Sequence, residues 1–150
     1  MTTTTLVSGT RTALTTTALN SLASATYVSA GTINVSASSP VDYLVEVALT
    51  PGTVAGNKQA VVFAKVSTDN TNFTTGPESG TTTTDEPNLY LLGVVPLNTN
   101  ATQQAKTFSI FGTLGFVPPY CKIIVKNDSG VALAASGHSV YYTPISAVTA

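Results

Sequence analysis

Between residues 41 and 50, Val41, Tyr43, Val45, Val47 and Leu49 alternate with Asp42, Glu46 and Thr50. This period of two predicts a strand with one face in a core and the other half-exposed. Similar short runs, rich in Val, Ile, Tyr, Phe and Thr, recur along the chain and are broken by Gly, Pro, Asn, Asp and Ser, the pattern of an all-β protein. Nothing reads as a long helix. Residues 59–67 (Ala60, Val61, Val62, Phe63, Ala64, Val66) predict a second strand, antiparallel to the first after the turn Pro51-Gly52-Thr53-Val54-Ala55-Gly56-Asn57. Two more are predicted at 105–112, with Phe108 and Ile110 on one face, and at 120–127, where Cys121, Ile123 and Val125 oppose Lys122 and Lys126. Runs at 26–36, 89–95 and 138–143, with a start near 12–19, bring the total to about eight. Asn127-Asp128-Ser129-Gly130 places Gly where a tight turn needs a left-handed residue and leads into the apolar 131–135.

About eight strands in 150 residues imply one domain built as a two-sheet antiparallel β-sandwich. A jelly roll is expected over an immunoglobulin-like sandwich, because the Cys, Trp, Cys pattern of the latter is missing. Residues 1–17 read as an extended Thr-rich N-terminal arm with a candidate first strand, and 18–150 as the sandwich. Within it, 74–88 is a polar loop of the length that is usually functional or disordered. Free termini fray, so an ordered arm is expected to be held by something outside the domain.

Charge removes several functions. Only 9% of residues are charged, against roughly 25% in an ordinary soluble domain. Hydroxyls supply the missing polarity, with 27 Thr and 14 Ser. Five lysines and one arginine, scattered from Arg11 to Lys126, make no basic stripe for nucleic acid and no polybasic patch for a membrane. No apolar run reaches the length of about 18 residues that would span a bilayer. Residues 1–17 lack the Lys and the apolar stretch of a secretory signal, so none is expected.

Catalytic and metal constellations are equally sparse. His138, the single imidazole, adjoins Ser139, but neighbours on a strand point to opposite faces and no Gly-x-Ser-x-Gly elbow occurs; a strand-end histidine is the expected reading. One His and one Cys cannot complete a zinc set. Asp69-Asn70-Thr71-Asn72 departs from a calcium loop at Thr71 and Thr74 and reads as a turn. Gly52 to Lys58 is one residue short of a P-loop and has Gln59 where Ser or Thr is required. Glu78, Asp85 and Glu86 read as solvated loop charges rather than a glycosidase pair. The chain is therefore read as a non-enzyme with no cofactor. Extended neutral surface suits burial in protein contacts, since a hydroxyl costs far less to desolvate than a charge.

Several segments resemble small virion structural proteins of tailed bacteriophages. They are Val45-Glu46-Val47-Ala48-Leu49-Thr50-Pro51-Gly52-Thr53-Val54-Ala55-Gly56-Asn57-Lys58-Gln59, the run from Val62 to Asp69, Gly76-Pro77-Glu78-Ser79-Gly80 with Asp85-Glu86-Pro87, Leu97-Asn98-Thr99-Asn100, and the run from Pro118 to Gly130. The resemblance spans roughly residues 41–143 and is strongest to head decoration (cement) proteins. It implies a β-sandwich made in the host cytoplasm, docked on the outer capsid surface, bridging copies of the major capsid protein. It also implies a homo-oligomer, a trimer by preference. On this reading the contacts fall on the arm (Thr2, Thr3, Thr4, Thr5, Leu6, Val7, Arg11) and on the long loop (Glu78, Asp85, Glu86). The alternatives are a tail or head-fibre module that binds a host glycan and a neck or tail component.

Overall fold

A computed structural model describes residues 2–55 and 58–149. The alternation at 41–50 becomes a strand, β4 (Asp42–Leu49), whose Tyr43, Val45, Val47 and Leu49 are fully buried. The remaining strands are β1 (Thr4–Ser8), β2 (Thr12–Ala13), β3 (Tyr27–Asn34), β5 (Gln59–Ser67), β6 (Ser79–Gly80), β7 (Tyr90–Pro96), β8 (Gln104–Ser109), β9 (Tyr120–Asp128) and β10 (Ser139–Thr149). One antiparallel sheet has the order β1-β10-β4-β8, with β2 also on β10; the other has the order β6-β3-β9-β5-β7.

Strands β1 and β2 lie end to end along β10. Ser8 faces Ile145 and Thr12 faces Tyr142, so residues 9–11 oppose only 143–144. This is a bulge beside Pro144, which has no N–H to offer the ladder. Taking β1 and β2 as one interrupted strand and setting the two-residue β6 aside leaves eight strands, four in each sheet. From β3 onward the chain crosses to the opposite sheet at every step except β5 to β7. The result is a jelly roll, the architecture expected from the sequence.

Several local expectations are corrected. Strands β4 and β5 do not pair: β4 lies between β10 and β8, and β5 between β9 and β7. Their short connection, of which residues 56 and 57 lie outside the described residues, crosses between facing sheets, which keeps consecutive strands as close as a hairpin would. The strand predicted at 105–112 stops at Ser109. Ser109 Oγ accepts the Gly112 N–H at 2.8 Å and opens one helical turn, α1 (Ile110–Leu114), closed by Gly115 at φ +78°. The segment 12–19 yields β2 and a 3-10 turn at Thr17–Leu19. Residues 131–135 form no strand; Leu133 bridges Pro51 and donates its N–H to the Leu22 carbonyl at 3.0 Å, and Ala134 donates to the Thr50 carbonyl at 2.9 Å.

Within the chain the arm is held by its pairing, since all of β1 is registered with the end of β10. Arg11 fastens the interrupted strand further, reaching Glu46 at 2.5 Å and stacking over the Tyr141 ring at 3.3 Å.

The core lies between the inward faces, with Ile33 of β3, Val62 of β5, Cys121, Ile123 and Val125 of β9, and Val140 of β10 packed against the β4 residues. Where the edges of the sheets meet, Gly93 of β7 sits at φ +147°, and a Cβ there would stand 2.9 Å from Phe108 Cε1. Gly93→Ala is therefore expected to cost about 1–3 kcal/mol through overpacking and backbone strain, read as a lower urea midpoint at unchanged slope.

Candidate functional site

Four connections and chain ends converge on one pole of the sandwich. Strand β3 ends at Asn34 opposite Tyr120, the first residue of β9, and β5 ends at Ser67 opposite the same Tyr120. Strand β4 begins at Asp42 opposite Ile145. The turn after β5, the helix α1, the 115–119 segment and the β1–β10 ribbon therefore share this end. Asp42, the first residue of β4, ties the end of β8 and α1 to it, its carboxylate accepting the Ser109 hydroxyl at 2.6 Å and the Phe111 N–H at 2.8 Å.

This pole carries exposed apolar side chains. Leu6 is 66% and Phe111 53% exposed, and Val7, Val41, Phe116 and Val148 are also open to solvent. Beyond Ile145 the β1–β10 ribbon has no third strand, and every residue of β1 is exposed. Residues 2–10 and 129–149 contain no Asp, Glu, Lys or Arg, so the ribbon is uncharged on both faces. Between the turn after β5 and the 115–119 segment, a cleft of about 430 Å³ is lined by Val66, Phe73, Phe116, Val117, Pro118 and Pro119, with hydroxyls from Ser67, Thr68 and Thr74. Tyr90 packs edge-on against Phe116 at 5.9 Å. Clusters of this kind on a single-chain surface mark contact sites.

The structure thus keeps Thr2, Thr3, Thr4, Thr5, Leu6 and Val7 together on exposed backbone at the pole, whereas Arg11 is committed to Glu46 and Tyr141 within the sheet. Sequence reasoning missed Val41, Phe111, Phe116 and Val148. Their signal was an apolar residue next to a turn or outside the period of its strand.

No family model, curated protein or solved structure matches the chain.

The loop carboxylates lie elsewhere, and two of them, Glu78 and Glu86, are not the solvated charges expected of them. Loop 74–88 folds over the outer face of the β3–β9–β5 sheet, where Tyr27, Phe63, Leu89 and Ile124 form a second apolar cluster. Glu78 accepts from the buried Lys65 at 2.7 Å and from Lys122 at 3.0 Å. Glu86 accepts from Lys126 at 2.6 Å and from the Tyr27 hydroxyl. Burial opposes the charge on each carboxylate, but the hydrogen bonds from the lysines, and from Tyr27 to Glu86, outweigh it and hold both below the usual range. Asp85 stays exposed ahead of the 3-10 turn Glu86–Asn88.

The remaining sequence candidates have structural partners. His138 Nδ1 accepts the Thr50 N–H at 3.3 Å, so its Nε2 donates to the Ala134 carbonyl at 2.9 Å; it is a strand-end histidine that pins two loops. Asp69 accepts the N–H groups of Asn72 and Thr71 at 2.8 and 2.9 Å, which pull its carboxyl far below the ordinary range. This closes the turn the sequence suggested. Burial pushes the Cys121 thiol up to about 12, against a hydrogen bond with Tyr43 that acts the other way, so it is held as a protonated core side chain.

Proposed function

We propose that this chain is a structural protein of a tailed-phage particle, a decoration protein that docks on the outer surface of the head and stabilises the lattice of the major capsid protein. The observation that carries the reading is the apolar pole, where an exposed, uncharged ribbon, Val41, Phe111 and Phe116 gather on one end of an otherwise well-packed jelly roll. Such a surface gains by being covered, and covering the ribbon desolvates hydroxyls and backbone rather than ions. The resemblance of residues 41–143 to virion proteins supplies the class of partner. On this reading the chain is made in the host cytoplasm and works in the virion through interfaces with the coat and with copies of itself, without catalysis.

The test is deletion of residues 2–10. These residues pair with the body through the end of β10, while β2 and the Arg11–Glu46 pair remain, so the variant is expected to keep its thermal midpoint within a few degrees. Its occupancy on heads stripped of the protein should fall more than tenfold. Unchanged occupancy removes the pole from the contact. Saturable binding of the intact protein to a glycan array would assign it to receptor recognition instead.

A further inference from the structure

The two sheets have four edges, and three of them are protected. Strand β8 carries Lys106, directly opposite Val47 and on the same inward side as Phe108. Strand β7 is broken by an irregularity near Gly93 and ends in Pro96. Strand β6 has two residues. An inward lysine, a bulge with a proline and a very short strand are the usual devices against edge-to-edge pairing. Strand β1 has none of them: it is five residues of Thr, Leu, Val and Ser, fully exposed.

The ladder also fixes which backbone groups are free. Gly9 N donates to Pro144 O at 2.8 Å, so in the register of β1 the odd residues Thr5 and Val7 exchange hydrogen bonds with β10. The N–H and C=O groups of Thr4, Leu6 and Ser8 therefore point away from the sheet. In water a two-stranded ribbon is marginal alone, and three or more strands with an apolar face are needed for stability.

We infer that the free edge of β1 pairs antiparallel with β1 of a second copy, about a two-fold axis through Leu6. In that register Leu6 faces Leu6 of the other copy, and Thr4 faces Ser8. The outward-pointing residues meet each other, as an antiparallel ladder requires. A second copy is the occupant that brings a matching ribbon. Two marginal ribbons become four strands, β10-β1 continued into β1-β10, with Val7 and Val148 of both copies on one face and no charged side chain opposed to another. The two-fold contact differs from the trimer implied by the family resemblance and does not depend on which particle, if any, the protein decorates.

Sedimentation of the purified chain at micromolar concentration should give a dimer. Leu6→Lys sets two lysines directly opposite across the axis and should weaken association at least tenfold, with an unchanged thermal midpoint of the monomer; Leu6→Thr should retain the dimer. Register is tested separately by mild oxidation. In a hydrogen-bonded pair the Cα atoms stand about 5.5 Å apart, within the span of a disulfide, and the native Cys121 is buried. Leu6→Cys should crosslink between copies and Thr4→Cys should not. A monomer at all concentrations, a trimer, or equal crosslinking at both positions overturns the pairing; a monomer would leave this edge to a different chain.

Discussion

Asn127→Ala is expected to lower stability by about 3–5 kcal/mol, the upper end of what single substitutions do. Asn127 is fully buried at the end of β9. Its side-chain amide donates to the carbonyls of Leu22 at 2.8 Å and Val131 at 2.7 Å. Its Oδ1 accepts the Ser129 N–H at 3.1 Å and the Ser129 hydroxyl at 2.7 Å. One side chain thus fixes three segments that have few ladder bonds of their own, and truncation removes four hydrogen bonds and orphans the Ser129 N–H away from water, while the Leu22 and Val131 carbonyls keep the Leu133 N–H and the Ser129 hydroxyl, each at 3.0 Å. The orphaned N–H costs about 1–3 kcal/mol and each of the other lost bonds about 0.5–1.5 kcal/mol. For a chain of this length the loss corresponds to a fall of about 6–20 °C in thermal midpoint. Asn127→Asp is a sharper version, since it sets an acceptor where the two carbonyls need donors. A midpoint within 2 °C of the parent for both variants would show that the 20–26 and 128–134 segments do not depend on this amide.

The second large effect is at Glu78. Lys65 is 7% exposed, and Glu78→Ala leaves its ammonium with only the Gly76 carbonyl at 3.1 Å, while Lys122 loses its carboxylate as well. Stranding a buried cation costs about 3–5 kcal/mol, and the partial exposure of Glu78 reduces this to about 2–3. The pH dependence carries the same signature. Glu78 and Glu86 are held below their ordinary value of 4.5 in the folded protein. The unfolded chain therefore takes up protons first as pH falls, so their contribution is complete above about pH 5 and disappears as pH drops through the folded values. Lys126 is shifted the other way; burial disfavours its charge, but the bonds to Glu86 and Tyr27 prevail and raise it above 10.5. Its share is complete below that value and fades only as pH rises beyond it. Urea midpoints measured from pH 2 to 8 should decline on the acid side for the parent and decline less for Glu78→Ala. Parallel curves would dissociate the acid loss from this carboxylate.

The strands and the sandwich were legible because period-two runs such as 41–50 declare an inward face wherever they occur in the chain. Which strand pairs with which was not, since β4 and β5 are joined by a short link whether they lie side by side or in facing sheets. The continuous runs Val61-Val62-Phe63-Ala64 and Ile123-Ile124-Val125 did hold a further message. A strand apolar on both faces is covered on both faces, and the cover is loop 74–88. Lys65, Lys122 and Lys126 on that outer face, against Glu78 and Glu86 in the loop, were the complementary clue. Strand β1 was hidden because four threonines show no alternation, although Thr favours strands. The apolar pole was invisible for another reason: Leu6, Phe111 and Val148 are far apart in sequence and are gathered only by the topology.

That topology also sets an order of events for a chain emerging from the ribosome. Strand β10 is the last of the fold, yet it lies between β4 and the interrupted β1–β2 strand and forms most of the ladder of its sheet. Until residues 139–149 are free, β4 can pair only with β8, and β1 and β2 have no partner. The inward face of the opposite sheet meanwhile lacks much of the layer that should cover it. Closure is therefore late and long-range, the regime in which folding is slow and unpaired edges are exposed to other chains. The eleven residues of β10 act as the catch that locks the strands before them into the native sandwich.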